Sequence, residues 1–132
     1  MATILVVDDE PSVRRAVRRH FELGGMDVIE AASGAEGLDI LQRSDVVDAV
    51  VCDVVMPELN GVALYDAIVQ QAPRLRHRVV FLTGLAGEPA VHELIEARGV
   101  PLVSKLHDLT ILLDAVRLAL LRPSESSSPP PG

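Results

Sequence analysis

The chain has 132 residues, is 48% hydrophobic and carries 19 Asp and Glu against 12 Lys and Arg, a formal charge of -7. That length suits one domain with a core of Val, Leu, Ile and Ala, and the acid excess argues against an electrostatic nucleic-acid surface, which needs clustered cations. The lone Cys52 excludes an internal disulfide and, within an apolar run, reads as a buried small hydrophobe. No apolar run approaches the length of about 20 residues that spans a bilayer, and the N-terminus lacks the pattern of a signal peptide. Cytoplasmic residence away from membranes is therefore expected.

Thr3 to Val7 is an apolar, β-branched run suited to a strand covered on both faces, and it ends at Asp8-Asp9-Glu10-Pro11. Val13, Ala16, Val17, His20 and Phe21 then recur at helical spacing up to Gly24-Gly25. Arg14, Arg15, Arg18 and Arg19 fall on the opposite side, read as a solvated face. Asp27 to Ala31 predicts a second strand, and Ser33-Gly34 a helix to about Arg43 with Ala35, Leu38 and Leu41 inward. Val46 to Cys52 predicts a third strand with Asp53 at its carboxyl end.

Asn60 suits the N-cap of a helix through Val62, Leu64, Tyr65, Ile68 and Val69, with Pro73 beyond it. Arg78 to Leu82 predicts a fourth strand ending in Thr83-Gly84, and Pro89 opens a helix carrying Val91, Leu94 and Ile95 to Gly99. Pro101 to Ser104 is a short fifth strand followed by Lys105. Asp108 caps a last helix through Leu109, Leu112, Leu113, Val116 and Leu120, and Pro123 ends the pattern. This alternation implies right-handed βαβ units, a parallel sheet and helices on both faces, with ligands bound at the carboxyl ends of the strands.

Asp8, Asp9 and Asp53 would gather there, and like charges a few Å apart repel by about 1 to 4 kcal/mol per pair. A hard divalent cation reverses that cost, and Mg²⁺ fits because it favours oxygen ligands and needs few carboxylates. His20, His77, His92 and His107 are scattered without zinc-like spacing. Phosphoryl transfer needs a nucleophile and neutralisation of the phosphoryl oxygens. Asp53 can supply the first; Mg²⁺, Thr83 and Lys105 the second, with Gly84 leaving space.

Val7-Asp8-Asp9-Glu10, Asp53 with Met56-Pro57 and Gly61, Thr83-Gly84 and Lys105 together resemble the receiver domain of bacterial two-component response regulators, over about residues 3 to 121. The resemblance implies a flavodoxin-like doubly wound (βα)5 fold with strand order 2-1-3-4-5. It implies a receiver domain over 1–121, and 122–132 reads as a disordered Ser/Pro-rich tail or linker. It further implies that Asp53 accepts a phosphoryl group from a sensor kinase phosphohistidine or a histidine phosphotransfer protein. Asp9, Asp53 and the Val55 carbonyl would bind Mg²⁺ directly and Asp8 through water. Such a domain signals and is not a turnover enzyme; self-phosphorylation and autodephosphorylation are at most slow.

Two positions depart from the family pattern. Leu106 replaces the proline that follows the lysine, so a trans peptide bond and a repositioned loop carrying Lys105 and His107 are expected. Leu102 replaces the switch aromatic of the fifth strand. Both favour the alternative of a degenerate receiver that works as a phosphorylation-independent interaction module. A third alternative, an Asp-nucleophile phosphohydrolase, would need an acid where Val55 stands. Val55 and Leu85, both apolar, predict slow hydrolysis of an acyl phosphate. Ile111, Ala115 and Leu118 form a second apolar stripe on the last helix which, with Leu102, is expected to make a homodimer or output surface.

Overall fold

The structure is a computed structural model that describes residues 1–56, 59–84, 89–105 and 108–122. Leu85, Leu106, His107, the side chain of Val91 and residues 123–132 lie outside the described residues, so the expectations placed on them stay with the sequence. The elements are β1 (Thr3–Val7), α1 (Pro11–Leu23), β2 (Asp27–Ala31), α2 (Gly34–Arg43), β3 (Ala49–Asp53), α3 (Gly61–Gln71), β4 (Val79–Thr83), α4 (Pro89–Arg98), β5 (Leu102–Ser104) and α5 (Leu109–Leu120), with a 3-10 turn at Pro73–Leu75.

All strand pairs are parallel and the order is β2-β1-β3-β4-β5, the flavodoxin-like doubly wound arrangement. β1, β3 and β4 are buried throughout, because helices cover both faces. Alternate strand residues enter different cores. Leu5, Val7, Val50, Cys52, Val79 and Phe81 pack with Leu41, Leu64, Ile68 and Ile95 of α2, α3 and α4. Ile4, Val6, Ala49, Val51, Val80, Leu82 and Val103 pack with Val17 and Phe21 of α1 and Leu112 and Val116 of α5. Phe81 meets the Tyr65 ring edge-on at 6.1 Å between centroids, and the Tyr65 hydroxyl donates to the Arg76 carbonyl at 3.1 Å.

Several expected details shift. β3 begins at Ala49, since Val46 is exposed and Asp48 leaves the apolar run to accept the Thr3 N–H at 2.8 Å. β4 begins at Val79 rather than Arg78. Ala35 is exposed; Gly34 and Gly37 face inward with Leu41. Gly37 does so because a Cβ there would stand 3.1 Å from Val7 Cγ2, so the helix crosses too close for a side chain. Ala16 and Leu94 are also exposed, and Ala119 rather than Leu120 completes the buried stripe of α5. The Ile111 and Leu118 stripe is exposed, at 47% and 67%.

Candidate functional site

The sheet reverses its strand order between β1 and β3, so a crevice opens beyond Val7 and Asp53. Asp8 leaves β1 there at 1% exposure. Its N–H donates to the Ala31 carbonyl at 3.2 Å, and its Oδ1 accepts the Glu10 N–H at 2.9 Å. Glu10 is the N-cap of α1, and Pro11 sits at the first helical position, where the missing N–H costs nothing.

Asp53 ends β3, is 4% exposed, and accepts the Val55 N–H on Oδ1 at 3.2 Å. The turn after it is closed by the Gly61 N–H donating to the Val54 carbonyl at 2.9 Å, and Asn60 caps α3 through its side chain to the Ala63 N–H. Gly61 is required by close approach. A Cβ there would lie 2.5 Å from the Asp53 carbonyl oxygen and 2.9 Å from Val54 Cα.

Thr83, buried at the end of β4, lies one residue beyond Leu82, the register partner of Asp53. Its carbonyl accepts the Lys105 N–H at 2.7 Å. This bond fixes the Lys105 backbone beside the end of β4. The ammonium Nζ lies 3.2 Å from Asp53 Oδ2, 3.0 Å from Glu10 Oε1 and 3.0 Å from Asp8 Oδ2. The contact to Asp8 is an ion pair outside hydrogen-bond geometry, so Asp8 Oδ2 is a buried oxygen without a directed donor. Gly84 is exposed beside the Lys105 stem.

Burial and then the Asp8 charge push the Asp53 carboxyl up to about 6, against the opposing pull of Lys105 and the Val55 N–H. Burial disfavours the Lys105 ammonium, but Glu10, Asp8 and Asp53 outweigh it and raise its pKa. Burial, then the Asp53 and Asp8 charges, push the Cys52 thiol well above its ordinary value. Cys52 is thus packing, as its sequence setting suggested.

Oxygens of Asp8, Asp9, Glu10 and Asp53 lie within 4.8 Å of one another. This donor set is all oxygen, and Asp8 Oδ2, paired with the Lys105 ammonium at 3.0 Å but accepting no hydrogen bond, can turn to a metal cation. A hard divalent ion of the Mg²⁺ kind fits those residues.

The arginine side of α1 is only partly solvated. Arg14 donates from Nη1 to the Asp8 carbonyl at 2.7 Å and from Nε to Glu30 Oε1 at 3.2 Å. Arg18 reaches Glu30 Oε2 at 2.9 Å. The Arg18 bond, against burial and with help from Arg14, lowers the Glu30 pKa. A carboxylate held below its ordinary pKa adds stability above its unfolded value of 4.5, lost as pH falls through the folded value. We therefore expect Glu30→Gln to cost about 0.5 to 1.5 kcal/mol at neutral pH in urea denaturation, less at high salt and almost nothing in acid.

Sequence reasoning gave no site role to Glu10, Arg14 or Glu30. The available signal was Glu30 itself, an acid inside a strand that needs a cation, facing a helix with four arginines.

Residues 4–117 match the family described as response regulator receiver domain. The chain is 38% identical over 94 residues to the sensor kinase CckA of Brucella abortus, covering 70% of this chain and 10% of that protein. It is 31% identical over 116 residues to the nitrate/nitrite response regulator protein NarP of Escherichia coli, covering 86% and 53%. The chain spans 10% to 57% of the length of these curated relatives and of a putative transcriptional regulator of Pseudomonas aeruginosa. A response regulator receiver domain protein from Clostridium thermocellum superposes with a TM-score of 0.82 at 30% identity, over 91% of this chain and 94% of that one. The chemotaxis protein CheY4 of Vibrio cholerae gives 0.80 at 27% identity, over 90% and 98%. Family, fold and the acidic crevice agree: the chain belongs to the response regulator receiver domains of two-component signalling.

Proposed function

We propose that Asp53 accepts a phosphoryl group from the phosphohistidine of a sensor kinase or a histidine phosphotransfer protein, in a cytoplasmic phosphorelay. The observation that carries this is the convergence of Asp8 and Lys105 on a buried Asp53 at the strand-reversal crevice. An Asp53 carboxylate oxygen forms the new bond to phosphorus while the phosphorus–nitrogen bond of the donor breaks, and the departing imidazole keeps the electron pair and takes a proton from solvent. With its carboxyl at about 6, Asp53 is largely ionised above pH 7 and available as a nucleophile.

Receiver domains bind Mg²⁺ at an acidic pocket. Here Asp8, Asp9, Asp53 and the Val55 carbonyl would hold it, and it would neutralise charge on a phosphoryl oxygen. Lys105 would pair with a second oxygen and Thr83 would donate to a third. The chain's own residues thus fix the acceptor and balance the developing charge, which is most of what phosphoryl transfer asks of a protein. Leu102, Ile111, Ala115 and Leu118 would form the face that a second copy or an output partner reads; the exposed Ile111 and Leu118 support this.

Incubation with Mg²⁺ and acetyl phosphate should add the mass of one phosphoryl group to the intact chain. Asp53→Asn should stay unmodified, with incorporation reduced at least about a hundredfold, a loss of the size expected when a nucleophile is removed. Equal incorporation in both proteins would move the acceptor elsewhere. No incorporation in either would favour a phosphorylation-independent interaction module.

A further inference from the structure

We infer that Glu10 is a positioning residue that holds the Lys105 ammonium back from a phosphoryl group on Asp53. The inference rests on the acceptor role proposed for Asp53. Glu10 stands at the N-cap of α1, and its side chain makes no capping bond. It spans the crevice instead and accepts from Lys105 Nζ at 3.0 Å, joining chain positions 95 residues apart.

An ammonium has three protons. Here three carboxylates surround it, those of Asp8, Glu10 and Asp53, at 3.0, 3.0 and 3.2 Å. Two of these, Asp8 and Asp53, are almost fully buried and belong to the proposed metal site, so a divalent cation would take over their charge. Glu10 differs. A Glu10 oxygen lies in the same 4.8 Å cluster, but its side chain is 57% exposed at the mouth of the crevice and it is not among the ligands proposed for the metal, so it is left to keep the ammonium after the other two have exchanged it. The lysine then has two competing acceptors: Glu10 at the mouth and the phosphoryl oxygen further in. Moving inward requires release of Glu10, and the ease of that release sets how strongly Lys105 favours the phosphorylated state.

Such competition by a solvent-screened pair has a modest size. In saturating Mg²⁺, Glu10→Gln should bind beryllium fluoride, a mimic of the aspartyl phosphate, about two- to fivefold more tightly than the unaltered chain, as read by fluorine NMR titration. The gain should shrink as salt is raised. In a Lys105→Met background the same Glu10→Gln change should leave affinity unaltered, because the group it restrains is gone. Gln is isosteric with Glu, so melting curves of the single variants should show both folded at the titration temperature.

Equal affinity of Glu10→Gln and the unaltered chain, or a gain that persists without Lys105, would overturn the inference while leaving Asp53 as acceptor. A gain confined to the Lys105 background supports it. Failure of the unaltered chain to bind beryllium fluoride at all would overturn the acceptor reading and, with it, the role of Glu10.

Discussion

Asp53→Asn should make the metal-free protein more stable at neutral pH, by up to about 3 kcal/mol. The sign follows from burial. The folded carboxyl is pushed up to about 6 against 3.8 for an unperturbed aspartate in the unfolded chain, so the folded chain holds this proton more tightly than the unfolded one. A raised acid contributes stability that is complete below the unfolded value and is lost as pH rises through the folded value. Above pH 7 the ionised side chain is therefore a net cost, and Asn removes the charge while keeping the shape. In EDTA the variant and the unaltered chain should melt together near pH 3.5, diverge between about 4 and 6, and differ by several degrees at pH 7.5. Saturating Mg²⁺ should narrow or reverse the gap, because the cation stabilises only the carboxylate. A less stable Asn variant at pH 7.5 without metal would contradict this electrostatic picture.

Gly61→Ala should damage both stability and the site. The added Cβ meets the Asp53 carbonyl oxygen at 2.5 Å, Val54 Cα at 2.9 Å and the Asp53 carbonyl carbon at 3.2 Å. All three are backbone atoms, so no side-chain rotation relieves the clash and the turn behind Asp53 must move. A loss of about 1 to 3 kcal/mol is expected, the range for overpacking a filled interior. Mg²⁺ affinity, followed by calorimetry, should fall as well, since the turn also carries Val55. Gly25→Ala is the control. Gly25 has a φ of 87° and open space around it, so alanine there costs about 1 kcal/mol of backbone strain and leaves the crevice untouched. Equal Mg²⁺ affinity in Gly61→Ala and Gly25→Ala would separate Gly61 from the site.

Much of the fold is legible in the chain because buried parallel strands are written as unbroken apolar runs and the helices between them are punctuated by Gly, Pro, Asn and Asp. The errors have particular causes. Val46 looked like a strand start because it is apolar, but it is exposed, and Asp48, which interrupts the apolar run, uses its side chain to meet the Thr3 N–H before β3 begins at Ala49. Ala35 looked inward because hydropathy ignores glycine, whereas the buried face of α2 uses Gly34 to approach Leu59 and Gly37 to approach Val7 closely.

The acids of the crevice were legible as strand-end residues in order. Glu10 and Arg14 were not assigned, because their roles come from contacts across the fold, to Lys105 and to the Asp8 carbonyl. The repositioned loop expected from Leu106 falls on residues 106 and 107, outside the described residues. In the structure the Lys105 N–H is held by the Thr83 carbonyl, and the long side chain reaches three carboxylates from there.

The most direct measurement is the position of the acyl phosphate. Borohydride reduction of the chain loaded with acetyl phosphate and Mg²⁺ converts a phosphorylated aspartate to homoserine, which peptide mass spectrometry can locate. Homoserine at position 53 alone is the expected result; homoserine at position 8 or 9, or an unreduced chain, would contradict the assignment of Asp53 as the phosphoryl acceptor.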